Sequence, residues 1–165
     1  MTFRFAAAED CSLILDFIRQ LALYEKMADQ VVADEALLRE WIFDRGKAEV
    51  LFVMEGDREV GFALFFHNFS TFLGRAGLYL EDLFVLPEYR GRGYGKALLR
   101  KLGAIAVERG CGRLEWSCLD WNRPSIDFYR SLGAVPMEAW TTYRVSGETL
   151  QALARGAAEG KLGIL

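Results

Sequence analysis

The chain has 165 residues, 52% of them hydrophobic and 26% charged, which suits one domain able to bury its own core. A net charge of −3 and a pI near 5.3 argue against nucleic acid, whose partners carry a basic patch, and suit a cationic small molecule. No run approaches the roughly 18 to 20 apolar residues of a membrane span, and Met1-Thr2-Phe3-Arg4-Phe5 leads straight into a strand pattern, so a soluble cytoplasmic protein is expected.

Phe3-Arg4-Phe5 reads as a short strand. From about Glu9, Leu13, Ile14, Phe17, Ile18 and Leu21 follow a helical period, with Asp10 favouring the dipole at its start. The segment Tyr24 to Gln30 is polar and irregular, either a solvated corner or the lining of a pocket. A second helix is predicted over Asp34 to Phe43, its apolar face made of Leu37, Leu38, Trp41 and Ile42. Glu49 to Met54 and Glu59 to Phe66 read as a hairpin around Gly56-Asp57, and Asn68 to Gly74 as the longer turn that follows. In this hairpin Phe62, Phe65, Phe66 and Phe69 are read as core, and His67 as a surface residue.

Leu78 to Leu86 is a nearly continuous apolar run, of the kind that forms a strand buried on both faces, and Pro87 stops it. After the glycine-rich turn, Ala97, Leu98, Leu102, Ile105 and Ala106 recur at helical spacing up to Gly110. Leu114 to Leu119 is predicted as a strand and Ser125 to Leu132 as a short helix ended by Gly133. Val135 to Val145 is predicted as a last strand interrupted at Pro136. A weak helix is expected after Gly147, and no fixed structure after about residue 156. With no repeat or linker, residues 1–165 read as one mixed α/β domain. Cys11, Cys111 and Cys118 lack metal-type spacing and His67 is the single histidine, so no metal site is expected and the thiols read as reduced and structural.

The strand, glycine loop and helix between Leu78 and Leu102 carry the chemistry. Such a junction offers unpaired N–H groups and the positive end of a helix dipole, and glycines let an anion approach the main chain, so it reads as a phosphate seat. A nucleotide P-loop is excluded, because Gly95-Lys96 is followed by Ala97 rather than Ser or Thr. The dinucleotide fingerprint fails as well: position 96 is Lys, and the loop lies past mid-chain. Glu81-Asp82 interrupts the apolar strand, and a buried carboxylate needs a cation, hydrogen-bond donors or a raised pKa. Asn122 opens the later helix, and Tyr129 falls about two turns into it.

Arg90-Gly91-Arg92-Gly93-Tyr94-Gly95 resembles the pyrophosphate loop of the GNAT superfamily of acetyl-CoA-dependent N-acetyltransferases. The order β-α-α-β-β-β-α-β-α-β is similar to that fold over nearly the whole chain, a mixed sheet with splayed central strands and flanking helices. Within the superfamily, Leu21 to Glu25, Tyr79 to Val85, the glycine loop and Trp121 to Tyr129 resemble the diamine acetyltransferase group, the spermidine/spermine and thialysine enzymes.

The resemblance implies acetyl-CoA as cofactor, held by Arg90, Gly91, Arg92, Gly93, Tyr94, Gly95 and Lys96 at its pyrophosphate. It implies that the backbone of Leu83, Phe84 and Val85 pairs with the pantetheine arm and thioester carbonyl, with Asn122, Pro124 and Ser125 completing the cofactor set. An N–H near Phe84 or Val85 would then be the oxyanion donor. Tyr24, Glu25, Glu81 and Asp82 would bind the amine, Glu81 would take its proton, and Tyr129 would protonate the leaving thiolate. A small-molecule amine is the implied partner and a homodimer the implied assembly, with which an apolar strand after Val135 is compatible. Trp140-Thr141 departs from the Trp-Arg of the diamine group. Acceptors such as a peptide N-terminus, an amino acid or an aminoglycoside stay open, as does a CoA-binding sensor without turnover, against which Glu81 and Tyr129 speak.

Overall fold

The computed structural model describes residues 1–156, so the tail after about residue 156 lies outside the described residues. The chain divides into two units, Met1–Cys118 and Leu119–Leu165. The first holds a five-stranded mixed sheet in the order β1 (Thr2–Phe5), β2 (Glu49–Glu55), β3 (Arg58–Ser70), β4 (Arg75–Val85), β5 (Leu114–Trp116). Neighbours are antiparallel except β4 and β5, which run parallel. β3 continues to Ser70 instead of ending near Phe66, because Phe69 pairs with Ala76 and Ser70 with Arg75. The turn shrinks accordingly to Thr71–Gly74, closed by a 3.2 Å bond from the Leu73 N–H to Ser70 Oγ.

Helix α1 (Cys11–Tyr24) covers one face of the sheet, where Phe17 stacks on Phe62 with centroids 5.2 Å apart and meets Phe84 edge-on at 6.5 Å. Phe17, Phe52 and Phe62 are fully buried with Ile14 and Val50 around them, and truncating Phe17 to Ala here removes about 3–5 kcal/mol of stability. Helix α3 (Tyr94–Glu108) covers the opposite face, burying Leu98, Leu102 and Ile105. Its Gly95 lies beside Leu83 and Val85, while α1 touches Phe84, as alternation along β4 requires.

Helix α2 (Glu35–Leu38) is capped by Asp34, whose Oδ1 accepts from the Leu37 N–H at 2.8 Å. It then widens into a π turn over Arg39–Asp44, with the Arg45 N–H bonded to the Glu40 carbonyl. The apolar face is narrower than expected: Leu38 and Ile42, four residues apart, turn to the core, while Leu37 and Trp41, on the neighbouring stripe, are exposed. Phe69 also departs from expectation: at the hairpin tip it is 62% exposed, whereas Phe62 and Phe65 are core.

In the second unit α4 (Arg123–Ser131) starts at the Asn122 cap, where the Ser125 N–H reaches Asn122 Oδ1 at 3.4 Å and Pro124 stands in the first turn. Helix α5 spans Gly147–Ala154. The last strand expected over Val135–Val145 is not formed. Pro136 has no N–H to give a ladder, and the Trp140 N–H closes a turn onto the Met137 carbonyl instead. Val135, Met137, Trp140 and Tyr143 are largely exposed. β5 is likewise shorter than expected, ending at Trp116 rather than Leu119.

Candidate active site

The ladder between β4 and β5 pairs only Leu78 with Leu114, Tyr79 with Glu115 and Leu80 with Trp116. Beyond Leu80, β4 runs on to Val85 without β5 beside it, which leaves the backbone edge of Glu81 to Val85 open on that side. This is the splay expected from sequence, and both strands lie in the first unit. At the same point β4 carries a bulge. Across from it Leu64 faces Asp82 and Phe65 faces Leu80, so Glu81 is the extra residue.

The bulge corrects the expectation that both carboxylates are buried. Glu81 stands in solvent and Asp82 is half-buried. Burial first, and then the negative charges of Glu81 and Glu25, together push the Asp82 carboxyl up to about 6. Glu25, at the end of α1, is itself raised by burial. Asp82 thus feels the negative charge of two other carboxyl groups at the start of the open edge. A cation arriving among them would relieve their mutual repulsion.

Next to Glu25 the chain leaves α1 through a left-handed residue that is not glycine. Lys26 has φ 61°, its N–H bonds the Leu23 carbonyl at 3.2 Å, and the Met27 N–H bonds the Ala22 carbonyl at 2.8 Å. This is the paired-bond ending usually built on glycine. It sets Tyr24 and Glu25 at the helix end. The Arg90 guanidinium lies over the Tyr24 ring at 4.7 Å and the Phe84 ring at 5.0 Å, and its Nε donates to the Val85 carbonyl at 3.0 Å. Arg90 therefore links the glycine loop, the last residues of β4 and the Tyr24–Glu25 wall.

The candidate anion seat lies at the start of α3. Gly93 caps the helix with φ 87° and no side-chain acceptor, and Gly91 also has positive φ, 74°. No side chain stands within 4 Å of where a Cβ would be at either glycine, and at Gly95 the nearest atom would be Leu83 Cδ2 at 3.8 Å. The donors of the first turn of α3 have no partner within the helix, so the loop has the bare main chain and dipole that a pyrophosphate needs. Arg92 and Lys96 add positive charge. Tyr94 is different: it is buried, and its hydroxyl donates to Glu55 Oε1 at 2.6 Å, while Arg92 reaches Glu55 Oε2 at 3.4 Å. No local motif flags Glu55, which comes from β2, 39 residues earlier.

A family description, "Acetyltransferase (GNAT) family", matches residues 15–134, from within α1 past the glycine loop and α4. The chain belongs to the GNAT acetyltransferase family. Thialysine N-epsilon-acetyltransferase of Bos taurus is 39% identical over 163 residues, covering 92% of this chain and 95% of the relative. L-ornithine N5-acetyltransferase of Arabidopsis thaliana is 31% identical, covering 91% and 86%. Among solved structures, an integron cassette protein from the mobile metagenome of V. cholerae superposes with a TM-score of 0.78 at 29% identity, covering 93% of this chain and 97% of the other. This GNAT chain is an N-acetyltransferase. In its second unit Tyr129 sits on α4, half-buried, its ring 5.5 Å from that of Phe128.

Proposed function

We propose that the enzyme transfers the acetyl group of acetyl-CoA to a primary amine of a small cationic acceptor, of the diamine, polyamine or thialysine type, directly within a ternary complex. The observation that carries this reading is that Asp82, at the open edge of β4, is raised to about 6 under the negative charges of Glu81 and Glu25. An acidic cluster of this kind suits a cation better than a neutral acceptor. Relatives named for thialysine and ornithine acetylation support the acceptor class.

Acetyl-CoA supplies an activated thioester carbonyl. The N–H groups of Gly91 to Lys96 would hold its pyrophosphate and the backbone edge of Leu83, Phe84 and Val85 its pantetheine arm, and an N–H near Phe84 or Val85 would serve as the oxyanion donor. Asn122, Pro124 and Ser125 complete the cofactor contacts from the start of α4. Tyr24, Glu25 and Asp82 hold the ammonium. A free alkylammonium has a pKa near 10.4, so reaching its neutral form at pH 7 costs about 4.6 kcal/mol and deprotonation is part of catalysis. Glu81, standing in solvent on the bulge, takes the proton through water, and Tyr129 protonates the departing thiolate. A homodimer in the cytoplasm belongs to the same proposal.

A thiol-release assay with acetyl-CoA over thialysine, ornithine, spermidine, lysine, an aminoglycoside and a peptide N-terminus tests the reading. Turnover should be highest with the diamines and thialysine. Turnover confined to the peptide or the aminoglycoside overturns the acceptor class, and acetyl-CoA binding without turnover on any amine makes the chain a sensor.

A further inference from the structure

Residues 90–93 form the softest part of the anion seat, since Gly91 and Gly93 both sit at positive φ with open space around them. Something must hold the donors of the first turn of α3 at a fixed angle for them to converge on one anion. The two ends of this stretch are gripped by one pair of residues. Glu55 and Arg58 face each other at the close of the β2–β3 hairpin. Glu55 accepts from the Tyr94 hydroxyl at 2.6 Å, immediately after the loop, and pairs with Arg92 at 3.4 Å. Arg58 donates to the Tyr89 hydroxyl at 3.2 Å, immediately before it. The rings of Tyr89 and Tyr94 then meet edge to face at 6.1 Å, and the Arg58 and Arg92 guanidinium groups each lie 5.3 Å from the Tyr89 ring centroid.

We propose that Glu55 is a positioning residue for the acyl donor: through Tyr94 and Arg92 it fixes the glycine loop in the shape that receives the pyrophosphate. The inference rests on reading Gly91 to Lys96 as the pyrophosphate seat. A carboxylate beside an anion site opposes the anion by its charge, so charge attraction does not account for its presence. Its role lies in the two acceptor oxygens. Tyr94 is the first residue of α3, and holding its hydroxyl holds the main-chain donors of that turn. Arg92, paired with the other oxygen, is kept at the rim of the loop.

The test is calorimetric binding of CoA to Glu55→Ala, Glu55→Gln, Tyr94→Phe, the Glu55→Ala/Tyr94→Phe double variant and Gly95→Val, with KM for acetyl-CoA and kcat alongside. Losing a hydrogen bond to a charged group in a site that must be preorganised should weaken CoA binding roughly tenfold in Glu55→Ala and in Tyr94→Phe. The double variant should be no weaker than the worse single one. Glu55→Gln keeps an acceptor for Tyr94 and should stay within about threefold of wild type. KM for acetyl-CoA should follow the binding constants while kcat at saturating donor moves little. Unchanged or tighter CoA binding in Glu55→Ala, or additive losses in the double variant, overturns the positioning role. If Gly95→Val has lost CoA in the same series, the seat itself stands. If Gly95→Val binds CoA normally, the seat is wrong and the inference falls with it. Should Glu55→Ala fail to fold, wild-type CoA affinity in Tyr94→Phe is enough to overturn it.

Discussion

Asp82 faces Leu64 in the β3–β4 ladder, and the next pair along, Phe65 with Leu80, passes over Glu81. One inserted residue thus turns two consecutive carboxylates into a solvent-facing group and a half-buried one with a raised pKa. Between the ordinary aspartate value and about 6 the folded chain binds more protons at Asp82 than the unfolded chain does, so this group's contribution falls as pH rises through that window and stays unfavourable above it. Asp82→Asn removes the ionised form. The expected gain, allowing for partial exposure, is about 1–2 kcal/mol at pH 8 and little at pH 4. Urea melts of both proteins at the two pH values check this, and an equal shift at both would mean that titration of Asp82 is not the cause.

The same titration bears on the acceptor. Below about pH 6 Asp82 becomes neutral and loses its attraction for an ammonium, so KM for the amine should rise as pH falls through that value. Asp82→Asn should show a raised KM at every pH with that limb gone. Steady-state kinetics from pH 5 to 8 at saturating acetyl-CoA decide the point. For Glu81→Gln the expected loss is in turnover with amines, most severe at low pH, with CoA affinity nearly intact. An unchanged pH–rate profile would remove Glu81 from the proton path.

The glycine loop and its flanking strand and helix were legible because they are written in consecutive residues: an apolar run, positive-φ glycines, then 3.6-residue periodicity. The bulge was not, since it depends on which residues of β3 face β4, and the apolar run alone predicted a strand buried on both faces through Glu81 and Asp82. Glu55 was invisible because its partners lie 37 and 39 residues away. Val135 to Val145 misled by its apolar content. A strand also needs a neighbour that completes its ladder, and around Pro136 a turn forms instead.

Lys26 offers a stability test beside the proposed acceptor wall. A side chain at left-handed φ costs about 1 kcal/mol relative to glycine, and the helix ending it occupies is one that glycine favours. Lys26→Gly should therefore raise stability by about 0.5–1 kcal/mol, the net after the unfolded chain's extra freedom. A lower melting temperature in that variant would show that the lysine side chain contributes contacts worth more than the strain.

Tyr129 concerns the end of the reaction. A thiol of cysteine-like pKa, near 8.5, leaves fairly well as the thiolate, so a positioned acid helps to a limited degree, at the lower end of the roughly 10²- to 10⁴-fold typical of such groups. Tyr129→Phe keeps the ring that meets Phe128 and deletes only the hydroxyl. We expect a fall in kcat of about a hundredfold, with CoA affinity and melting temperature close to wild type. Pre-steady-state measurements ensure that chemistry limits the rate. If turnover then stays within about threefold of wild type, Tyr129 is a packing residue of α4, and water or another side chain protonates the thiolate.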